Sequence, residues 1–393
     1  MCAHKNLGTE SLTMSEPTYD LIVRAARVFC ADVGLDGPGA VAVSGDRIAT
    51  AGPDIGGTAA KTLDYPDGVL LPGLVDLHAH PAPSDWKYGI DPDVEILPRG
   101  ATTILSQGDC GADDWPFYRD NVIRPSKTRV RLAMSVARGG ERVPGTAAFG
   151  NVDDLDVDAG VAAIEDGGEL IWGLSVNASV NSCGDSDPRV VVQATLDIAE
   201  RTGRPILFGN RWDPYDWPIA EQLDLLRCGD ILTYCFHAGP NGIVEGGKVI
   251  DAAWRARERG VLFDVGHGMA SFDFPTVEAA LADGFLPDTI STDQYARHVG
   301  SNPQHDLPRT ISKVLAAGMA EGDAFQRATL RPARVLGMTG EIGTLRAGAC
   351  ADLAVLKWNE NALPLADVAG AVRPGACYEP VLTVRAGEII DPE

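Results

Sequence analysis

The chain has 393 residues, 45% of them apolar, with 44 Gly and 26 Pro, enough to bury the core of one large α/β unit plus a smaller one. Lys and Arg number 33 against 55 Asp and Glu, and the net charge of −22 repels nucleic acid and anionic membrane, which excludes a polyanionic partner. No run of 18 apolar residues occurs and Met1–Pro17 is polar, so neither a membrane span nor a secretory signal is expected, and the expected compartment is the cytoplasm. The eight cysteines are scattered without Cys-x-x-Cys spacing, as fits reduced, mostly buried thiols.

In chain order, 1–17 reads as a polar tail. Residues 18–72 read as short strands broken by turns: Tyr19 to Ala25, Ala40 to Ser44, Arg47 to Ala51 and Lys61 to Asp64, with Gly45-Asp46 shaped for a hairpin. From 73 to 339 apolar strand-like runs alternate with helical stretches. The runs are Val75 to His80, Ala101 to Gly108, Arg129 to Ala137, Leu170 to Ala178, Pro205 to Asn210, Asp230 to Phe236, Val261 to Gly268 and Thr289 to Tyr295. Helical periodicity is carried by Asp158 to Asp166, Arg189 to Arg201, Ile219 to Arg227, Lys248 to Arg259 and Thr276 to Ala282. This alternation predicts a closed parallel (β/α)8 TIM barrel. Residues 340–393 return to strands at Gly343-Thr344-Leu345, Ala351 to Lys357 and Val381 to Arg385, so 18–72 and 340–393 are expected to combine into a flanking β-sandwich built from both termini.

Chemistry in such a barrel sits where its strands end. The first strand ends in His78-Ala79-His80, and residues i and i+2 of a strand face the same way, so both imidazoles can reach one metal ion. Alone, His-x-His is a weak signal, but the Leu71-Pro72-Gly73 prefix and the Pro81 stop strengthen it. Other strand ends offer Asp109-Cys110, Ser175-Val176-Asn177, Asn210-Arg211, Tyr234 with His237 beyond it, Gly266-His267-Gly268 and Ser291-Thr292-Asp293.

At Leu71 to His80, Tyr88 to Asp93, Arg99 to Thr103, Gly229 to Thr233, Arg259 to Gly268, Leu286 to Asp293 and the closing Gly340 to Gly348 with Ala351-Asp352-Leu353, the sequence resembles the amidohydrolase superfamily, in particular its dihydroorotase-like deacetylase branch. The resemblance implies a barrel with a flanking β-sandwich and one or two divalent metals, usually zinc, that activate water against an amide or ester carbonyl. It also marks departures. Binuclear relatives place a carboxylated lysine on strand four and a histidine on each of strands five and six, where this chain has Ser175, Gly209 and Tyr234. His78, His80 and Asp293 remain, so one zinc is expected, with Asp293 both holding the metal and serving as the base.

Two residues are candidates to fill the gap. Cys110 resembles the metal-binding cysteine of the D-aminoacylase branch, against a reading as a small apolar filler; His237 is the second, against a reading as a loop histidine. His267, His237, Asn177, Asn210, Arg211 and Tyr234 are assigned to substrate binding, Arg211 as a bidentate carboxylate partner or else a surface ion pair. Trp86, Trp115, Phe117, Trp212, Tyr215 and Trp217 either wall a pocket or anchor loops. The expected function is mononuclear metal-dependent hydrolysis of an amide or ester in a small molecule by a homo-oligomer. The alternatives are a metal-dependent lyase or decarboxylase on the same barrel, and a non-catalytic homologue that binds a small molecule.

Overall fold

The computed structural model describes residues 17–390, so the expected tail, with Cys2 and His4, lies outside the described residues except for Pro17. Seven parallel strands pair in chain order: Leu74–Ala79, Ala101–Gln107, Arg129–Ser135, Ile171–Asn177, Ile206–Gly209, Ile231–Thr233 and Leu262–Phe263. The first two are buried at every position, as strands covered on both faces must be. The sixth and seventh are shorter than their apolar runs because Tyr234 (φ +61°) and Gly266 (φ +51°) turn the backbone out of the extended region. The eighth run joins through single bridges, Thr289 to Asp264 on one side and Gln294 to Ala79 on the other. It thereby connects the two edges of the sheet and brings Asp293 beside His78 and His80.

Helices lie where the apolar period of 3.6 places them: Val157–Gly167, Pro188–Thr202, Ile219–Leu225, Asp251–Glu258 and Phe274–Ala282. Pro188–Thr202 shows how the sequence sets both ends. The Asp187 carboxylate accepts from Arg189 N, Pro188 occupies a first-turn position where no N–H is needed, and Gly203 (φ +67°) ends the helix. Its buried face of Val191, Val192, Thr195, Ile198 and Ala199 gains about 1.5–3 kcal/mol per large apolar side chain. Gly160 on Val157–Gly167 lets that helix approach, since a Cβ there would fall 2.6 Å from Ile198 Cδ1. The helices after the eighth run escape the sequence reading: Leu307–Ala316, capped by Asp306, then Glu321–Arg327 and Leu330–Val335. Residues 244–249 form a small hairpin, so the helix expected from Lys248 begins at Asp251.

Both chain ends build a second seven-stranded sheet, in the order Glu388–Ile390, Cys377–Arg385, Leu353–Asn359, Thr58–Pro72, Thr18–Cys30, Leu35–Ser44, Arg47–Gly52. The hairpin at Gly45-Asp46 forms as expected, and a second one turns at Ala386-Gly387. Gly343-Thr344-Leu345 is not a strand, because Gly343 sits at φ +67°. Where a two-layer sandwich was expected, the hydrogen bonds run as one continuous mixed sheet over a cluster that includes Leu21, Val23, Val41, Val43, Leu70, Leu353 and Val384. The two sheets meet at Gly73, whose N–H donates to Asp352 O at 2.7 Å. A Cβ at Gly73 would sit 2.3 Å from Thr102 Oγ1, so only glycine passes. Strand one therefore leaves the terminal sheet directly and in a fixed register, which aims His78 and His80.

Candidate active site

His78 and His80 lie on one face of strand one, and each has one ring nitrogen tied down. His78 Nδ1 donates to Thr233 Oγ1 at 2.9 Å, because the Thr233 hydroxyl proton is committed to Asp264 Oδ2, also at 2.9 Å. Asp264 in turn accepts from Thr289 and Ser291. His80 Nδ1 bonds Asp109 Oδ1 at 2.8 Å, and Ser106 Oγ steadies the other oxygen of Asp109 at 2.7 Å. The two Nε2 atoms are left to converge on Asp293 Oδ1, at 3.3 Å from His78 and 3.2 Å from His80.

Asp293 is held in the left-handed region (φ +52°), its N–H donating to His78 O at 2.7 Å. The neighbouring Gly268 leaves room for its carboxylate, since a Cβ there would be 2.3 Å from Asp293 Oδ2. Burial raises the Asp293 carboxyl above the usual range, His80 opposing it. Burial works against charge on His80, but Asp109 and Asp293 outweigh it and lift the imidazole to about 10. His78 is held well below its ordinary value by burial and by His80.

This donor set fits a divalent metal. The ligand atoms of His78, His80 and Asp293 lie within 4.8 Å of one another, all three residues buried. His78 Nε2, whose proton is on the other nitrogen, faces a carboxylate oxygen; two acceptors pointed at one another are relieved by a cation between them. Asp109 and Thr233 orient the rings from behind, the usual arrangement for metal-bound histidine. Two imidazoles and one carboxylate suit zinc with open positions.

The other side of the mouth is different. Ser175 Oγ accepts from Gln107 Nε2 at 2.8 Å, Gly209 carries no side chain, and the Tyr234 hydroxyl reaches His78 Nε2 at 3.2 Å. The Tyr234 ring fills the space a residue-209 side chain would need, with Cε2 2.9 Å from a Cβ built there. A cavity of about 160 Å³ opens here, lined among others by His80, Tyr88, Gln107, Glu141, Asn177, Asn210, Trp212, Tyr234, Asp293 and Tyr295.

Of the expected site residues, the structure brings His78, His80, Asp293, Asn177, Asn210 and Tyr234 together around this cavity. Four lie apart from it. Cys110 is fully buried in the apolar layer, its Sγ donating to Gly111 O at 3.1 Å and its thiol pushed well up by burial; it stands outside the ligand cluster. His237 accepts from Gly239 N on Nδ1, packs edge-on against Trp212, and is neutral, burial lowering it to about 3. His267 has both nitrogens occupied: Nδ1 donates to Gly268 O at 2.7 Å and Nε2 accepts from Lys313 Nζ at 2.6 Å. Arg211 spends its guanidinium on Asp216, at 2.7 and 2.8 Å, and is not free for a substrate carboxylate. Of the aromatic residues, Trp212 lines the cavity, Trp86 and Trp115 are buried, and Tyr215 is exposed.

Glu141 was missed altogether. It lies six residues beyond the end of strand three, whose run carries no chemistry at its tip. The Gly139-Gly140 step folds the loop back over strand two: Glu141 N donates to Gly108 O at 2.8 Å, and Gly140 (φ +65°) leaves no room for a Cβ, Asp109 O being 2.6 Å away. The Gly-Gly-Glu step after a barrel strand was the available signal. Burial raises this carboxyl to about 7, with Lys87 and His80 opposing.

Comparison with known proteins gives the family. Residues 266–389 match the amidohydrolase family. The chain is 32% identical over 367 residues to deacetylase Atu3266 of Agrobacterium fabrum, covering 89% of this chain and 86% of that protein. It is 28% identical over 378 residues to a deacetylase of Enterococcus faecalis, covering 95% and 99%. Among solved structures it is similar to an adenine deaminase (TM-score 0.85, 27% identity, 95% of this chain and 100% of that one) and to a dihydroorotase (TM-score 0.83, 27% identity, 94% and 98%). The chain belongs to the amidohydrolase superfamily, in its dihydroorotase-like branch, and is a hydrolase enzyme.

Proposed function

We propose that the protein hydrolyses an amide bond of a small molecule, as a deacetylase-type enzyme with a mononuclear zinc centre held by His78, His80 and Asp293. The observation that carries this reading is the convergence of two Nε2 atoms and one carboxylate oxygen, with each opposite imidazole nitrogen already tied to Thr233 or Asp109. The missing strand-four, strand-five and strand-six ligands argue for one metal. In this reading 73–339 carries the chemistry, and 18–72 with 340–393 forms a separate β domain that fixes the start of strand one.

A bound zinc polarises the acyl carbonyl and makes water more acidic. The chain supplies the rest. Asp293, raised by burial, takes a proton from the attacking water and returns it to the departing nitrogen. The Tyr234 hydroxyl, 3.2 Å from His78 Nε2 and held protonated by burial, donates to the acyl oxygen as negative charge develops. Gln107, Asn177 and Asn210 orient the amide, and Tyr88, Trp212 and Tyr295 exclude water around it.

Metal analysis of protein purified without added metal tests the reading, followed by assay on simple N-acetyl amides. About one equivalent of zinc and amide hydrolysis lost with chelator are expected. Two equivalents would overturn the mononuclear centre, and metal-independent turnover would overturn the metal's role.

A further inference from the structure

The cavity is short of positive charge. Its lining holds two carboxyls, Asp293 and Glu141, and no lysine or arginine. Cations stand behind this lining: Arg211 is clamped by Asp216, while Lys87 Nζ donates to Thr146 O at 3.0 Å and lies 4.7 Å from the Tyr88 ring centroid, with Arg297 next to it along Tyr88 and Tyr295. Glu141 itself is 4% exposed, and no hydrogen bond reaches its carboxyl among the described residues. A mostly buried carboxyl with no hydrogen bond of its own, facing the cavity from a loop tied by the Glu141 N–H to Gly108 O, is open to receive an N–H from a ligand. A divalent cation at His78, His80 and Asp293 has two carboxyls on the cavity walls, Asp293 and Glu141, to compete with a substrate carboxylate.

We infer that the site takes N-acyl amides whose amine side is neutral or positively charged, and that Glu141 is the specificity residue that rejects carboxylates and receives an ammonium or an N–H. The rings of Trp212 and Tyr295 on the lining favour the same choice, since ring faces attract cations and repel anions, whereas Tyr88 already carries Lys87 Nζ 4.7 Å from its centroid. The inference rests on the hydrolytic reading: water adds its oxygen to the acyl carbon, the C–N bond breaks, and the proton of water goes to the amine.

Three probes of similar size decide it: N-acetylethylenediamine (cationic), N-propylacetamide (neutral) and N-acetylglycine (anionic). With zinc-loaded protein, kcat/KM is expected to be at least tenfold higher for the cationic and neutral probes than for N-acetylglycine. Glu141→Gln should raise the anionic-to-neutral ratio at least tenfold while keeping full zinc content. Calorimetric affinities of the same probes for metal-free protein should follow the same order. N-acetylglycine turned over as well as the others, or an unchanged ratio in Glu141→Gln, would overturn the inference, as would loss of zinc in that variant. If no probe is hydrolysed, the hydrolytic reading fails by itself, and the affinity order still decides whether the cavity selects against negative charge.

Discussion

The two halves of the barrel mouth are built by different rules. On the side of strands one and eight, His78, His80 and Asp293 meet at one point, backed by Thr233, Asp264, Asp109 and Ser106. On the side of strands four to six the same positions hold a serine, a glycine and a tyrosine, and the groups facing the cavity are carboxamides and a phenol. One half can hold a cation and the other can only hydrogen-bond. The Tyr234 ring stands where a side chain at 209 would go, so the proposed single-metal centre rests on steric occupation as well as on missing ligands.

The comparison breaks most severely at the ligand side. His78→Ala and His80→Ala each remove one bond of the converging set, and metal affinity is expected to fall by more than about 100-fold, with activity lost. Metal content by mass spectrometry after gel filtration checks this, and full occupancy in either variant would refute the site. Asp293→Asn keeps the shape and removes the base, so kcat should fall by about 10²–10⁴ while the melting temperature holds. Gly268→Ala reaches the same carboxylate indirectly. The new methyl group would lie 2.3 Å from Asp293 Oδ2, so the carboxylate must move although both histidines stay in place. A smaller loss than for Asp293→Asn, about 10–100-fold in kcat, is expected from misplacing a catalytic group; unchanged kcat would show that the position of Asp293 is not critical.

The opposite half is tested by trying to rebuild it. Gly209→His places a histidine where binuclear relatives have one, but its Cβ would be 2.9 Å from Tyr234 Cε2 and 3.1 Å from Asn177 Cγ. The single variant should stay at one equivalent of metal and lose about 1–3 kcal/mol to overpacking. Metal content above one equivalent in Gly209→His would show that Tyr234 does not close the second position. Gly209→His combined with Tyr234→Ala sharpens the comparison by removing the steric block while leaving the ligand count low.

The same contrast explains what the sequence revealed. Parallel strands and helices were legible because burial on both faces writes continuous apolar runs, and helices packed on the sheet write a 3.6 period. His78, His80 and Asp293 were legible because strand ends have a fixed place in such a fold. The tips of strands six and seven were not, since left-handed turns at Tyr234 and Gly266 leave no mark in an apolar run. Glu141 was hidden in a loop whose path depends on Gly140 packing against Asp109, a contact 31 residues apart in the chain that local pattern cannot show. Arg211 and His267 misled for a related reason. Their residue types suit a ligand, but Asp216 and Lys313 already occupy them.

The smallest effect is expected at Cys110, which the resemblance to a metal-binding cysteine placed in the ligand half and the structure places behind it. Its sulfur is fully buried among apolar side chains, its one polar contact is Gly111 O at 3.1 Å, and burial holds the thiol protonated. The sulfur stands outside the His78, His80 and Asp293 cluster, which is the geometric ground for reading it as packing rather than as a ligand. Cys110→Ser exchanges a weak, polarizable donor for a hydroxyl that prefers water, and stability should fall by about 1–3 kcal/mol. Zinc content and kcat should stay within error of the parent protein, since nothing that touches His78, His80 or Asp293 has changed. Thermal unfolding and metal analysis on the same sample separate the two roles: loss of metal without loss of stability would return Cys110 to the ligand set and remake the boundary between the halves.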